Sequence, residues 1–366
     1  MIKTEYPIKF KAAILEELKK PLIIKEVIFR GPLQPGQVLV KIWYSGICGK
    51  QIEEIEGTRP DPYIPHMLGH EGGGIVKDVG PGVKKLSLGD SVVLHWLKSK
   101  GIESATPEYT RTDGRKINAG WVTTFNEYAV VSENRLTKIP HGSNLEVACL
   151  LGCCITTGAG VILNTAKPLP LESVAVFGCG GVGLNSLQAA KLVHAYPIIA
   201  VDRNEESLRL AKKFGASHLL NSEKCDVVKE IKKITNPYDK DLKDAKNFNL
   251  KEAGADYTII SLGDPKAIEL AIESAAIPGK VYLIGVPPYS SKISINAFDA
   301  HASKTIFGSH GGECVPDRDI PKYFEMHYKG LFKFDELISS RVSFENINQG
   351  IALTRSGKIG RCVVKF

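Results

Sequence analysis

A chain of 366 residues, 43% hydrophobic and 24% charged, has an ordinary globular make-up and enough length for two sizeable cores. Its net charge of +7 is scattered and interleaved with acids, which points away from nucleic acid and towards an anionic cofactor or small-molecule substrate. No apolar run approaches the ~20 residues of a membrane span, and Met1 to Lys11 hold no signal-peptide core, so no membrane partner and a cytoplasmic location are expected.

In chain order, residues 1–154 read as a β-rich domain. Short strands such as Val38 to Ile42, Gly74 to Val76 and Ser91 to Leu94 lie between turns at Leu33-Gln34-Pro35-Gly36, Gly80-Pro81-Gly82 and Leu88-Gly89-Asp90. From 155 to 308 apolar strands alternate with amphipathic helices, the pattern of an α/β doubly wound parallel sheet. Ala255 to Ile260 and Lys280 to Gly285 read as its later strands, and Asn221 to Lys251 ends in a polar insertion or helical decoration. Residues 309–366, from Asp317 onward a short helical and strand segment, return to the first domain.

Ser173 to Asp202 organises the second half. Val174 to Phe177 is a buried strand, Gly178, Gly180 and Gly183 form G-x-G-x-x-G, and a helix over Leu184 to Ala195 leads to the strand Ile198 to Asp202. Each glycine has a role: a tight turn, room for a pyrophosphate, and close helix–sheet packing. The N-terminus of that helix aims backbone N–H groups at the phosphates, with Gly181 and Val182 in the glycine turn before it as further cofactor-binding candidates. Asp202, about 20 residues past the glycines, suits the ribose hydroxyls and repels a 2′-phosphate, so NAD is the expected dinucleotide. Arg203 either offsets that repulsion or lies against the adenine.

Four residues elsewhere have metal-ligand chemistry: Cys48 in Gly46-Ile47-Cys48-Gly49, His70 and Glu71 in Gly69-His70-Glu71-Gly72, and Cys153 in Gly152-Cys153-Cys154. A catalytic zinc takes three such ligands and keeps one position open. Residue types alone leave two readings, a metal site or packed small residues with a local His–Glu pair. The eight cysteines form no spaced framework and read as reduced thiols.

These motifs, with Val79-Gly80-Pro81-Gly82-Val83, Thr124 to Tyr128, Thr157-Gly158 and the closing Arg355 to Arg361, resemble the medium-chain, zinc-dependent alcohol dehydrogenase superfamily over essentially the full length. The resemblance implies a GroES-like catalytic domain plus a Rossmann domain, with the active site in the cleft between them. It implies zinc on Cys48, His70 and Cys153, with Glu71 beside the metal. It places Val182 behind the nicotinamide, Thr157 and the backbone of Ile284, Gly285 and Val286 along it, Asp202 on the ribose and Arg361 near the pyrophosphate. Trp96 falls at an aromatic substrate wall or packs in the core. A homodimer or homotetramer is implied as well.

Three departures from the family pattern stand out. Lys98 to Gly120 contains no cysteine, so the four-thiolate structural zinc is expected to be absent and one catalytic zinc to remain. Lys50 and Glu53 replace the hydroxyl and imidazole of the usual proton path. Lys50 then serves proton transfer, binds an anionic substrate group, or is simply solvated. Gly49 stands where many relatives have a cationic pyrophosphate ligand, which either weakens cofactor binding or leaves that work to Arg361.

The leading expectation is hydride transfer between NAD(H) and an alcohol or carbonyl, with zinc as Lewis acid. Lys50, Glu53, Arg59, Lys98 and Lys100 favour a polar substrate such as a polyol, sugar or anionic alcohol. The alternatives are a carbonyl or conjugated-alkene reductase on the same fold, and a non-catalytic binding protein.

Overall fold

The computed structural model describes residues 4–58, 63–236, 253–357 and 360–366. Arg59, Lys358, Ile359 and the 237–251 part of the expected insertion lie outside the described residues.

Two compact units emerge, Met1–Thr156 with Val315–Phe366, and Thr157–Cys314. The sequence alone put the borders at 154 and 308. The second border moves because Ser309 N–H bonds Leu283 O, and Asn164 Nδ2 donates to Gly312 O at 3.1 Å, tying 309–312 to the second unit.

In the first unit, Ile8–Leu15, Ile23–Phe29, Tyr109–Arg111, Lys116–Ala119 and His66–Met67 close a small barrel. Its interior is filled by Phe10, Ile14, Val27, Phe29, Met67 and Tyr109, the inward set of alternating strands. A second sheet runs Leu136–Ile139, Ser91–Leu94, Gly72–Val79, Gln37–Ile47, Arg361–Lys365 and Ile338–Ser343, with Tyr128–Ser132 also on Gln37–Ile47. The returning segment thus joins the first domain's sheet, with Cys362 opposite Ile47.

The second unit is a six-stranded sheet with all neighbouring strands parallel. Its order is His218–Asn221, Ile198–Asp202, Val174–Phe177, Ala255–Ile260, Ala275–Leu283 and Thr305–Gly308. Counted in chain order this is 3-2-1-4-5-6, the doubly wound arrangement of dinucleotide-binding proteins. The fold is therefore a GroES-like β-rich domain plus a Rossmann α/β sheet. The helix after the glycines is Gly181–Leu192, three residues earlier than expected at either end, because Gly180 already serves as its N-cap.

Candidate metal centre and cofactor site

Three turns of the first unit carry the sulfur, nitrogen and oxygen donors. Cys48 follows the strand Gln37–Ile47 and caps the helix Gly49–Glu56. His70 and Glu71 precede the strand Gly72–Val79, and Cys153 lies between the turn Cys149–Gly152 and the helix Cys154–Gly160. Backbone bonds lock these turns together: Glu71 O accepts from Gly46 N–H and from Ser45 Oγ, each at 3.0 Å. The close approach explains two glycines. A Cβ on Gly46 would lie 2.1 Å from Glu71 Oε2, and one on Gly152 would lie 2.4 Å from Leu94 O.

As a result, one ligand atom each from Cys48, His70, Glu71 and Cys153 lies within 4.8 Å of the others. Ligands on a tetrahedral zinc sit about 3.3–3.8 Å apart, so a small contraction closes this set on an ion. Two sulfurs and an imidazole suit zinc. The Glu71 carboxylate is the least available donor, since Oε1 accepts from Cys154 N–H at 3.1 Å and Oε2 pairs with Arg361. Cys48, His70 and Cys153 are therefore the three fitting ligands, with Glu71 beside them.

Electrostatics agree with that division. Cys48 is held well below the ordinary thiol range by the hydrogen bond from Cys153 and by His70, against the cost of burial. Cys153 is pushed up by donating that bond and by burial. His70 is opposed by burial yet raised by Cys48 and Glu71. Burial raises Glu71 despite Arg361.

Gln51, one turn into the helix Gly49–Glu56, was not singled out from the sequence. Its Oε1 accepts from Cys48 N–H at 3.1 Å, and its Nε2 lies 2.7 Å from His70 Nδ1. It fixes the ring of one ligand and the backbone of another, the orienting role that neighbours of metal-bound histidines play. The signal was its place three residues past Cys48 on a short helix.

Lys50 is on the same helix, with its ammonium bound by Glu53. Arg361 is placed beside the donor cluster. Its guanidinium is 5% exposed and turned onto Glu71, so its first partner is this carboxylate. Trp96 is half-buried just beyond Ser91–Leu94.

The second unit carries the residues expected to hold a dinucleotide, from Thr157 to Val286. Gly178 has φ +90°, a turn that L-residues disfavour. A Cβ on Gly183 would lie 1.8 Å from Gly178 O, whereas one on Gly180 would meet nothing within 4 Å. Gly180 is thus the open cradle in front of the helix Gly181–Leu192, whose N-cap supplies no side-chain acceptor. The geometry fits a bound pyrophosphate. Asp202 ends the adjacent strand, its carboxylate accepting from Cys179 N–H at 2.8 Å and Asn204 N–H at 2.9 Å. Those bonds hold it at the mouth of the glycine turn. Arg203 beside it is exposed. Gly181 is buried and Val182 half-buried in the first helical turn, and Thr157 is buried. Ile284 and Gly285 N–H both donate to Ile260 O, at 3.0 and 2.9 Å, and Val286 is exposed.

Comparison with known proteins adds a family. Residues 34–141 match the alcohol dehydrogenase GroES-like domain, and residues 181–327 match the zinc-binding dehydrogenase domain. The chain is 31% identical to an S-(hydroxymethyl)glutathione dehydrogenase of Paracoccus denitrificans, over 97% of this chain and 99% of that one. It is 32% identical to one from Escherichia coli O6:H1, over 98% and 100%. Benzyl alcohol dehydrogenase from Acinetobacter calcoaceticus has a similar solved structure, with TM-score 0.86, 29% identity, and 98% and 99% of the two chains covered. This chain belongs to the zinc-dependent, medium-chain alcohol dehydrogenase family and is an oxidoreductase.

Proposed function

We propose that this enzyme transfers a hydride between NAD(H) and a polar, preferably anionic, alcohol or its carbonyl counterpart. One zinc per subunit is held by Cys48, His70 and Cys153, with Glu71 adjacent. The observation that carries this reading is the cluster of four donor atoms within 4.8 Å. The Gly180 cradle and Asp202 support NAD. The name of the curated relatives supports the substrate class, since S-(hydroxymethyl)glutathione is an anionic alcohol. The net charge of +7 agrees.

A zinc ion supplies a Lewis acid for the substrate oxygen, and NAD supplies the hydride acceptor. The chain's own residues prepare the site. The hydrogen bond from Cys153 and the nearby His70 favour the thiolate of Cys48, Gln51 orients His70, and the Glu71–Arg361 pair gives the donor cluster a buried carboxylate whose charge is matched. Lys50, anchored by Glu53, offers an ammonium that serves proton transfer or an anionic substrate group. The absence of thiolates in Lys98 to Gly120 supports a single zinc. Eight free thiols suit a reducing cytoplasm. A homodimer or homotetramer is part of the reading, supported by the edge strand Thr305–Gly308 with Phe307 exposed.

The test is metal analysis, NAD(H) and NADP(H) titration, and a substrate screen over aliphatic alcohols, polyols, sugars and S-(hydroxymethyl)glutathione. One zinc per chain, preference for NAD and fastest turnover of an anionic alcohol are expected. Turnover of conjugated alkenes without alcohols replaces the reading with a reductase, and absence of both zinc and dinucleotide binding replaces it with a binding protein.

A further inference from the structure

The glycine turn of the second unit is held from both sides. Its strand, Val174–Phe177, lies between Ile198–Asp202 and Ala255–Ile260. Just past that strand, the peptide group linking Gly178 to Cys179 has one carbonyl and one N–H to satisfy. The N–H donates to Asp202 Oδ2 at 2.8 Å, at the end of one neighbouring strand. The carbonyl accepts from Ser261 Oγ at 2.9 Å, directly after the other. One peptide plane is thus gripped at both ends by side chains from opposite neighbours.

The Ser261 hydroxyl is committed to that bond. Its Oγ also lies 3.1 Å from Phe177 O, but this carbonyl already accepts the backbone N–H of Ser261 at 2.9 Å. A hydroxyl has a single proton to give, so it serves Gly178 O, the nearer of the two. That carbonyl is tucked beneath the first turn of the helix Gly181–Leu192. A Cβ on Gly183 would lie 1.8 Å from Gly178 O and 3.3 Å from Ser261 Oγ. The missing side chain of Gly183 makes room for the carbonyl, and the serine keeps the carbonyl in that room.

A peptide beside a glycine at φ +90° rotates at little cost. Rotation would carry Gly178 O out from under the helix and take Cys179 N–H off Asp202, leaving that carboxylate with Asn204 N–H at 2.9 Å. With both ends of the peptide held, the turn keeps its shape before any ligand arrives, and ordering it is not a cost of binding. We propose that Ser261 is a positioning residue for the dinucleotide: by holding the Gly178–Cys179 peptide against Asp202, it keeps the glycine turn in its phosphate-binding shape in the free enzyme. The inference rests on the dinucleotide reading above.

The experiment is a fluorescence titration of zinc-loaded enzyme with NADH, with ADP-ribose and adenosine as competitors. Ser261→Ala is expected to raise the dissociation constants of NADH and ADP-ribose about tenfold. Adenosine has no pyrophosphate to meet the turn, so its constant is expected to stay within about twofold. Ser261→Thr keeps the hydroxyl and is expected to stay within about threefold of the wild type for all three ligands. A Ser261→Ala enzyme that binds NADH as tightly as the wild type overturns the proposal. So does an equal loss for adenosine, which would mark a general disturbance of the unit. A threonine variant as weak as the alanine one assigns the effect to packing and overturns it too. If the wild type binds neither NADH nor NADPH, the dinucleotide reading fails and the proposal falls with it.

Discussion

The donor cluster and the loop that begins at Lys98 lie in the same unit and hold their turns by opposite means. The cluster gathers two sulfurs, an imidazole and a carboxylate within 4.8 Å, a set that completes its bonding around an ion. The loop has no thiolate and is held by carboxylates receiving backbone N–H groups. Glu133 accepts from Lys84, Lys85 and Ile102 N–H at 2.7, 2.7 and 2.8 Å. Asp317 accepts from Lys100 N–H at 3.0 Å and pairs with Lys85. Ser99 N–H bonds Asn134 O, and Gln37 reaches Ala105 O. The difference teaches that a loop can be fixed by acids already at hand, while a Lewis acid cannot be replaced that way.

If that contrast is right, removing a donor should abolish activity with little loss of fold. Cys48→Ser and His70→Ala are expected to cut turnover by ~10³-fold or more and to lose zinc, with NAD affinity kept. Metal analysis beside steady-state rates checks this; near-normal rates would break the assignment. Gln51→Leu sharpens the same side. Zinc affinity should fall about 10- to 100-fold in a chelator competition, because the partner of His70 Nδ1 is gone.

On the loop side the expected losses are of stability. Glu133→Ala leaves three N–H groups without their acceptor and should cost about 3 kcal/mol in chemical denaturation, with zinc content unchanged. The acid limb is a finer probe. Glu133 and Asp317 are opposed by burial but held below their ordinary values of 4.5 and 3.8, Glu133 by N–H donors and Lys85, Asp317 by Lys85 and Thr137. A lowered native value means the contribution is full above the ordinary value and is lost as pH falls through the native one. Melting temperature should therefore drop below about pH 4.5 in the wild type, and Glu133→Gln should flatten that slope. An unaltered slope would remove Glu133 as the clamp.

Much of this was legible from the chain itself. Val174 to Phe177 and Ile198 to Asp202 are strands with the expected bounds, because apolar runs cut off by glycine and by Asp202 allow little else. The three glycines behave as their spacing requires. The cluster was legible only as residue types, since turns about 20 and 80 residues apart meet through sheet pairing that spacing does not encode. Gln51 and the carboxylate clamps were hidden for a related reason. A glutamine or glutamate in a polar stretch has the same local pattern whether it is solvated or buried against a distant amide. The pairing of Arg361 with Glu71 was hidden in the same way, since 290 residues separate the two.

The strand Arg361–Lys365 lies beside Gln37–Ile47, yet the whole dinucleotide unit separates them in the chain. A nascent polypeptide therefore exposes Cys48, His70 and Cys153 long before Arg361 leaves the ribosome to neutralise Glu71. Until the returning strand docks, Glu71 lacks the guanidinium that Arg361 brings to it, so the ion pair beside the donors is completed only by a segment that follows the second unit.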